Sequence, residues 1–108
     1  MIHVVYDRAL LRVSMEGHAG YGEKGSDPVC AAASILAYTL YCNAVTMTHG
    51  GKIQRLPALE LASGKTEIRA VANEKYRAVV TIIFDSVCAG FALLSRDFPE
   101  NVSYRVIE

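Results

Sequence analysis

The sequence predicts an α+β domain: a mixed or antiparallel sheet with two helices packed on one face. Three observations carry that prediction. Short runs of alternating apolar and polar residues recur near both ends and in the middle of the chain. A stretch free of Asp, Glu, Lys and Arg extends from Pro28 to Gly51. A second helical pattern begins after Asp85-Ser86 and stops at Pro99. The predicted order is β-β-α-β-β-β-α-β, and 108 residues make one domain, 1–108.

The elements follow in order. Ile2 to Tyr6 and Leu10 to Glu16 read as strands joined by Asp7-Arg8-Ala9. In the second, Leu11, Val13 and Met15 alternate with Arg12, Ser14 and Glu16, so one face is buried. His3 is an ordinary strand residue. The charge-free stretch is a helix, apolar enough all round to be buried on every side. Its alanines, Ala31, Ala32, Ala33 and Ala37, allow close approach, and Leu36, Tyr38, Leu40 and Tyr41 fill space around it. Two helices in a domain this small leave part of it uncovered, which predicts a homodimer. Its length also raises the question of a membrane span. Ser34, Thr39, Asn43, Thr46 and Thr48 argue against one. Cys42 lies roughly 120° around the helix from Cys30 and is expected in the core. His49 suits the negative helix end. Ala58 to Ala62, Thr66 to Ala72 and Tyr76 to Phe84 read as a meander turning at Ser63-Gly64-Lys65 and Asn73-Glu74-Lys75. Asp85-Ser86 then caps the second helix, with Val87, Phe91, Leu94 and Phe98 on one face, and Val102, Tyr104 and Val106 mark the last strand.

Net charge is zero, so no basic nucleic-acid footprint is present. Three cysteines without regular spacing make no disulfide framework. With no signal peptide at Met1 to Asp7, a cytoplasmic location is expected.

Chemistry concentrates between Gly17 and Ser34. Asp27 suits a helix cap and Pro28 the first helical position, which makes Cys30 third in the helix. A sulfur there lies near the unpaired N–H groups and positive dipole end, conditions that favour thiolate. Cysteine pKa values fall from about 8.5 to roughly 3.5–7.5 in such places or beside a histidinium. His18, at the end of the preceding strand, is the base within reach. The plainer reading is that a cysteine on an alanine-rich helix is packing. Position, loop glycines and the upstream histidine together weigh against it.

The loop holds two decoys. Gly20-x-Gly22-x-x-Gly25 matches a dinucleotide fingerprint, but no acidic residue lies between Pro28 and Leu59, where one would be needed to hold a ribose, and the chain is short for a doubly wound fold. As a phosphate loop it lacks the Lys-Ser/Thr ending. Gly20, Gly22 and Gly25 instead suit a mobile loop that folds over a peptide and brings His18 to Cys30. His18 and Cys30 alone make no zinc set, and no cofactor is expected. Asp85-Ser86-Val87-Cys88-Ala89 echoes Asp27-Pro28-Val29-Cys30-Ala31 but has no histidine or glycine loop before it, so Cys88 reads as packing.

Gly17, His18 and Ala19, then Gly25, Asp27, Val29, Cys30, Ala31, Ala32 and Ser34, resemble the signature of the bacterial ribosomal-processing cysteine proteases (Prp). Pro28 departs from it, since an aliphatic residue is more usual there. The resemblance implies a cysteine endopeptidase that removes the N-terminal extension of large-subunit ribosomal protein number twenty-seven, with aromatic residues next to the cut. The expected partner is that precursor, with neither membrane nor direct nucleic-acid binding. The chemistry expected is thioester peptide hydrolysis, with Cys30 as nucleophile, His18 as base and acid, and helix-start N–H groups facing the oxyanion. Asp27 serves as helix cap or orients His18. Apolar walls for the substrate would come from Tyr21, Tyr38 or Ile35. Two rivals stand beside this reading: a redox-active thiol protein, and a non-catalytic ribosome-assembly binding protein.

Overall fold

The computed structural model describes residues 1–55, 57–62 and 64–108, with the backbone alone for 58–62. Its elements are β1 (Ile2–Asp7), β2 (Arg12–Glu16), α1 (Pro28–His49), β3 (Ala58–Ala62), β4 (Lys65–Arg69), a 3₁₀ turn (Glu74–Tyr76), α2 (Arg77–Asp97) and β5 (Val102–Ile107). The five strands form one sheet in the order β3-β4-β2-β1-β5. β1 pairs antiparallel with β2 and parallel with β5, so the sheet is mixed. The α+β class therefore holds, with two helices over a mixed sheet.

One strand of the predicted order is absent. Tyr76 to Phe84, read as the third meander strand, supplies the last residue of the 3₁₀ turn and the first two turns of α2. Its β-branched residues, Val79, Val80, Ile82 and Ile83, suit a strand locally. The burial that wins has helical spacing: Val80, Phe84, Cys88 and Phe91 are buried at intervals of four, four and three. Asp85 is consequently mid-helix and caps nothing. Its carboxylate accepts from the buried Tyr6 hydroxyl at 2.9 Å and from Arg8 Nε at 3.1 Å. β4 is shorter than expected, since Ala72 makes only an isolated bridge to Ile53. Of the turn Ser63-Gly64-Lys65, Ser63 lies outside the described residues.

Strand alternation separates two surfaces. Ile2, Val4 and Tyr6 of β1, Val13 of β2, Ile68 of β4 and Val102 of β5 are buried under the helices. His3, Asp7, Arg12, Glu16, Lys65, Glu67, Arg69 and Arg105 fall at the alternate positions, on the face away from the helices. His3 Nδ1 meets Ser103 Oγ there at 2.9 Å.

α1 buries Val29, Ala33, Ala37, Leu40, Ala44 and Met47, a stripe along one side. Cys42, expected in the core, falls opposite that stripe and is exposed. Tyr38, expected to fill space, is 51% exposed, and Ile35 is 64% exposed. Where α1 crosses α2 the fit is close, since a Cβ on Gly90 would lie 2.5 Å from Leu36 Cδ2. Both helices are long and apolar enough to cross a membrane. Here each lays a buried stripe against the sheet.

Candidate active site

Five segments converge at one end of the sheet: the start of β1, the end of β2, the start of α1, the β3–β4 turn and the residue before β5. Gly17, just past β2, has φ +103°, and a Cβ there would fall 2.2 Å from the Met1 carbonyl oxygen. Only glycine fits that crossing. Its N–H donates to the Gly64 carbonyl at 2.8 Å, tying the end of β2 to the β3–β4 turn. His18 follows, with its side chain exposed. Gly64, at φ +71°, lets the imidazole lie close, for a Cβ there would sit 3.0 Å from His18 Nε2.

Ala19 is buried, and its N–H donates to Cys30 Sγ at 3.3 Å. The chain then turns through Gly20 at φ +66° and Gly25 at φ +91°, conformations open to glycine at little cost. Asp27 ends the loop as the α1 N-cap. Its Oδ1 accepts from the N–H of Val29 at 2.9 Å and of Cys30 at 3.1 Å. Its Oδ2 accepts from Tyr21 and Gly22, each at 2.9 Å. Burial pushes this carboxyl up, but four backbone donors outweigh it and leave it below the usual carboxylate range.

Cys30 is the third residue of α1, as expected, and half-buried. The expectation that its sulfur lies among unpaired helix-start N–H groups does not hold. Asp27 Oδ1 takes those of Val29 and Cys30, and the Asp27 carbonyl takes that of Ala31 at 3.1 Å. The donor the sulfur does receive comes from Ala19, across the loop.

His18 and Cys30 line the same two hollows. One, of about 460 Å³, also takes in Gly20, Gly22, Gly25 and Asp27. The other, of about 160 Å³, takes in Gly17, Ser34 and Gly64. Ser34 belongs to both, and to a third hollow between Tyr38 and Tyr41 of α1 and Met15, Thr66 and Ile68 of the sheet. A groove thus leads from Cys30 along α1. Of the apolar walls expected, Tyr38 lines it. Tyr21 instead packs edge-on against Phe98, centroids 5.2 Å apart, and Ile35 lines none of the three hollows. No hydrogen bond joins His18 to Cys30, or Asp27 to His18, among the described residues.

Three contributors went unread in the sequence. The sequence marks Gly64 only as a turn residue. Asn101, whose Nδ2 donates to the Ala19 carbonyl at 2.9 Å, lies 82 positions away and carries no local signal. Phe98 reads in the sequence only as a helix-face residue, not as the partner of Tyr21. Cys88 is buried mid-helix, and burial chiefly, with the Asp85 charge, pushes its thiol up to about 12 against an opposing Tyr104 hydroxyl. Among the described residues no cluster of His, Cys, Asp or Glu could hold a metal ion.

Comparison with known proteins gives a family. The family model described as cysteine protease Prp matches residues 1–103. The chain is similar to the essential ribosomal processing protease Prp from S. aureus, solved in complex with a covalently linked product peptide. Identity is 26% over 99% of this chain and 100% of that one, with a TM-score of 0.76. It is also similar to SMU.848 from Streptococcus mutans, 25% identical over 98% of this chain and 91% of that one, with a TM-score of 0.68. No curated protein matches it.

Proposed function

Since the chain belongs to the Prp family of cysteine proteases, we propose that it removes the N-terminal extension of large-subunit ribosomal protein number twenty-seven, with Cys30 as nucleophile and His18 as base and acid. The observation that carries this reading is the placement of the Cys30 sulfur. It stands at a helix start, receives a backbone N–H, and opens into the same cleft as the His18 imidazole. The covalently linked product peptide of the S. aureus relative is in keeping with a thiol nucleophile.

Cys30 Sγ attacks the scissile carbonyl and His18 holds the thiol proton. Collapse of the tetrahedral intermediate breaks the C–N bond, and His18 passes the proton to the leaving amine. Water, deprotonated by His18, then cleaves the thioester and restores the thiol. His18 sits between two anchored residues, Gly17 and Ala19, so rotation of its exposed side chain carries the imidazole to the sulfur. Closure of the loop at Gly20, Gly22 and Gly25 covers the peptide. Asp27 holds the N–H groups of Val29, Cys30, Tyr21 and Gly22, so the oxyanion finds its donors in the loop N–H groups that Asp27 does not take, those of Gly20 and Gly25. Asp27 acts as cap and loop tether. Aromatic residues beside the cut fit the groove at Tyr38, Tyr41 and Met15. The exposed Ile35 of α1, with Ile82 and Leu93 of α2, suits a homodimer, and the reading places the protein in the cytoplasm with its ribosomal substrate.

Incubating the protein, and its Cys30→Ala variant, with that ribosomal protein precursor and weighing the products tests the reading. The expected result is one defined cut by the unaltered protein and none by the variant. An uncut precursor, or equal cutting by both, overturns it.

A further inference from the structure

Ala19, the neighbour of His18, is held at three points. Its side chain is buried at 2% exposure, its N–H meets Cys30 Sγ at 3.3 Å, and its carbonyl accepts from Asn101 Nδ2 at 2.9 Å. The N–H and the carbonyl belong to successive peptide units, so Asn101 does not polarise the donor. It fixes where the donor points. Asn101 is itself braced, since its N–H donates to the Phe98 carbonyl at 3.0 Å and its carbonyl accepts from Ile2 N–H at 2.8 Å. One step beyond Ala19 stands Gly20, at φ +66°, where a Cβ would meet nothing within 4 Å and glycine turns the chain at little cost.

Resting on the reading that Cys30 is the nucleophile, we propose that Asn101 is a positioning residue for its thiolate, clamping Ala19 so that the amide N–H stays on the sulfur. Asp27 takes the helix-start donors, which leaves Ala19 N–H as the donor aimed at Cys30 Sγ among the described residues. A hydrogen bond to an ionised group is shorter and roughly twice as strong as a neutral one. The clamp therefore matters most when the sulfur is charged.

The test compares Asn101→Ala and Asn101→Asp with the unaltered protein. The pH profile of iodoacetamide alkylation is followed residue by residue by peptide mass, and cleavage of the ribosomal precursor gives kcat and KM. Cys42, exposed on the far side of α1, is the internal reference. In Asn101→Ala alkylation of Cys30 at neutral pH should slow about tenfold, with Cys42 unmoved. In the same variant kcat should fall about tenfold, with KM within about twofold. Asn101→Asp, of nearly the same shape but unable to donate when ionised, should move both further. An unchanged Cys30 profile and kcat in Asn101→Ala overturns the proposal. So does loss of a cooperative melt in both variants, which makes Asn101 a fold residue only. Full cleavage by Cys30→Ala sinks the nucleophile assignment instead, while the alkylation profiles still report on the clamp.

Discussion

Two stretches of this chain carry nearly the same letters, Asp27-Pro28-Val29-Cys30-Ala31 and Asp85-Ser86-Val87-Cys88-Ala89, and the fold puts them to opposite uses. In the first, Asp27 caps α1 and the thiol three residues on opens into a cleft beside an imidazole. In the second, the aspartate is already well inside α2, its carboxylate holds Tyr6 and Arg8, and the thiol is sealed at 1% exposure. Proline makes part of the difference. Pro28 removes an N–H that a helix start does not need, and a helix cannot run through it undisturbed. Ser86 allows α2 to continue, its hydroxyl donating to the Ile82 carbonyl at 2.7 Å. Thiol chemistry is set by where the cysteine falls in its helix and what the preceding loop brings to it, not by the pentapeptide.

The comparison breaks most visibly in activity. Cys30→Ser and His18→Ala should each lower cleavage of the precursor by at least about a thousandfold while leaving the thermal melt close to that of the unaltered protein. Cys88→Ala should do the reverse. It empties a core position and should cost about 1–3 kcal/mol in urea unfolding, with kcat per folded molecule unchanged. A large loss of kcat in folded Cys88→Ala would erase the contrast between the two thiols.

Much of this contrast was legible in the chain, and the illegible part has identifiable causes. Asp27, Pro28 and Cys30 could be read as cap, first and third helical residues because capping is local chemistry. The α2 start was misread for the same reason. Asp85-Ser86 looks like a cap, and only the sheet beneath, through Tyr6 and Arg8, explains an aspartate in mid-helix. The buried spacing Val80, Phe84, Cys88, Phe91 was present in the letters, but a β-branched run masked it. Cys42 was misplaced because α1 is apolar all round, and its letters do not say which side meets the sheet. The Ala19–Asn101 contact depends on the parallel pairing of β1 with β5, which brings Asn101 against Ile2. No pattern within either segment announces it.

Smaller effects sharpen the picture at each aspartate. Tyr6→Phe removes the 2.9 Å bond to Asp85 and should cost about 1 kcal/mol. Both aspartates also shape the acid limb of stability. The Arg8 guanidinium holds the Asp85 carboxyl below its usual range, and the four N–H donors outweigh burial to do the same for Asp27. A carboxyl lowered in the folded state stabilises above its unfolded value, near 3.9, and loses that contribution as pH falls through the folded value. Asp27→Asn and Asp85→Asn should therefore be less stable than the unaltered protein at pH 7. Their midpoints should converge on it below about pH 4, as followed by thermal melts across pH. Parallel curves with no convergence would show that neither charge contributes.

The most direct measurement of the central claim is a time course of limited alkylation at neutral pH, with each cysteine mapped by peptide mass and residual cleavage assayed on the same samples. Cys30 should be modified first and activity should fall in step with it, while exposed Cys42 reacts more slowly and Cys88, pushed up to about 12, stays intact until the protein unfolds. Cleavage that survives complete modification of Cys30, or that disappears in step with Cys88, would contradict the account.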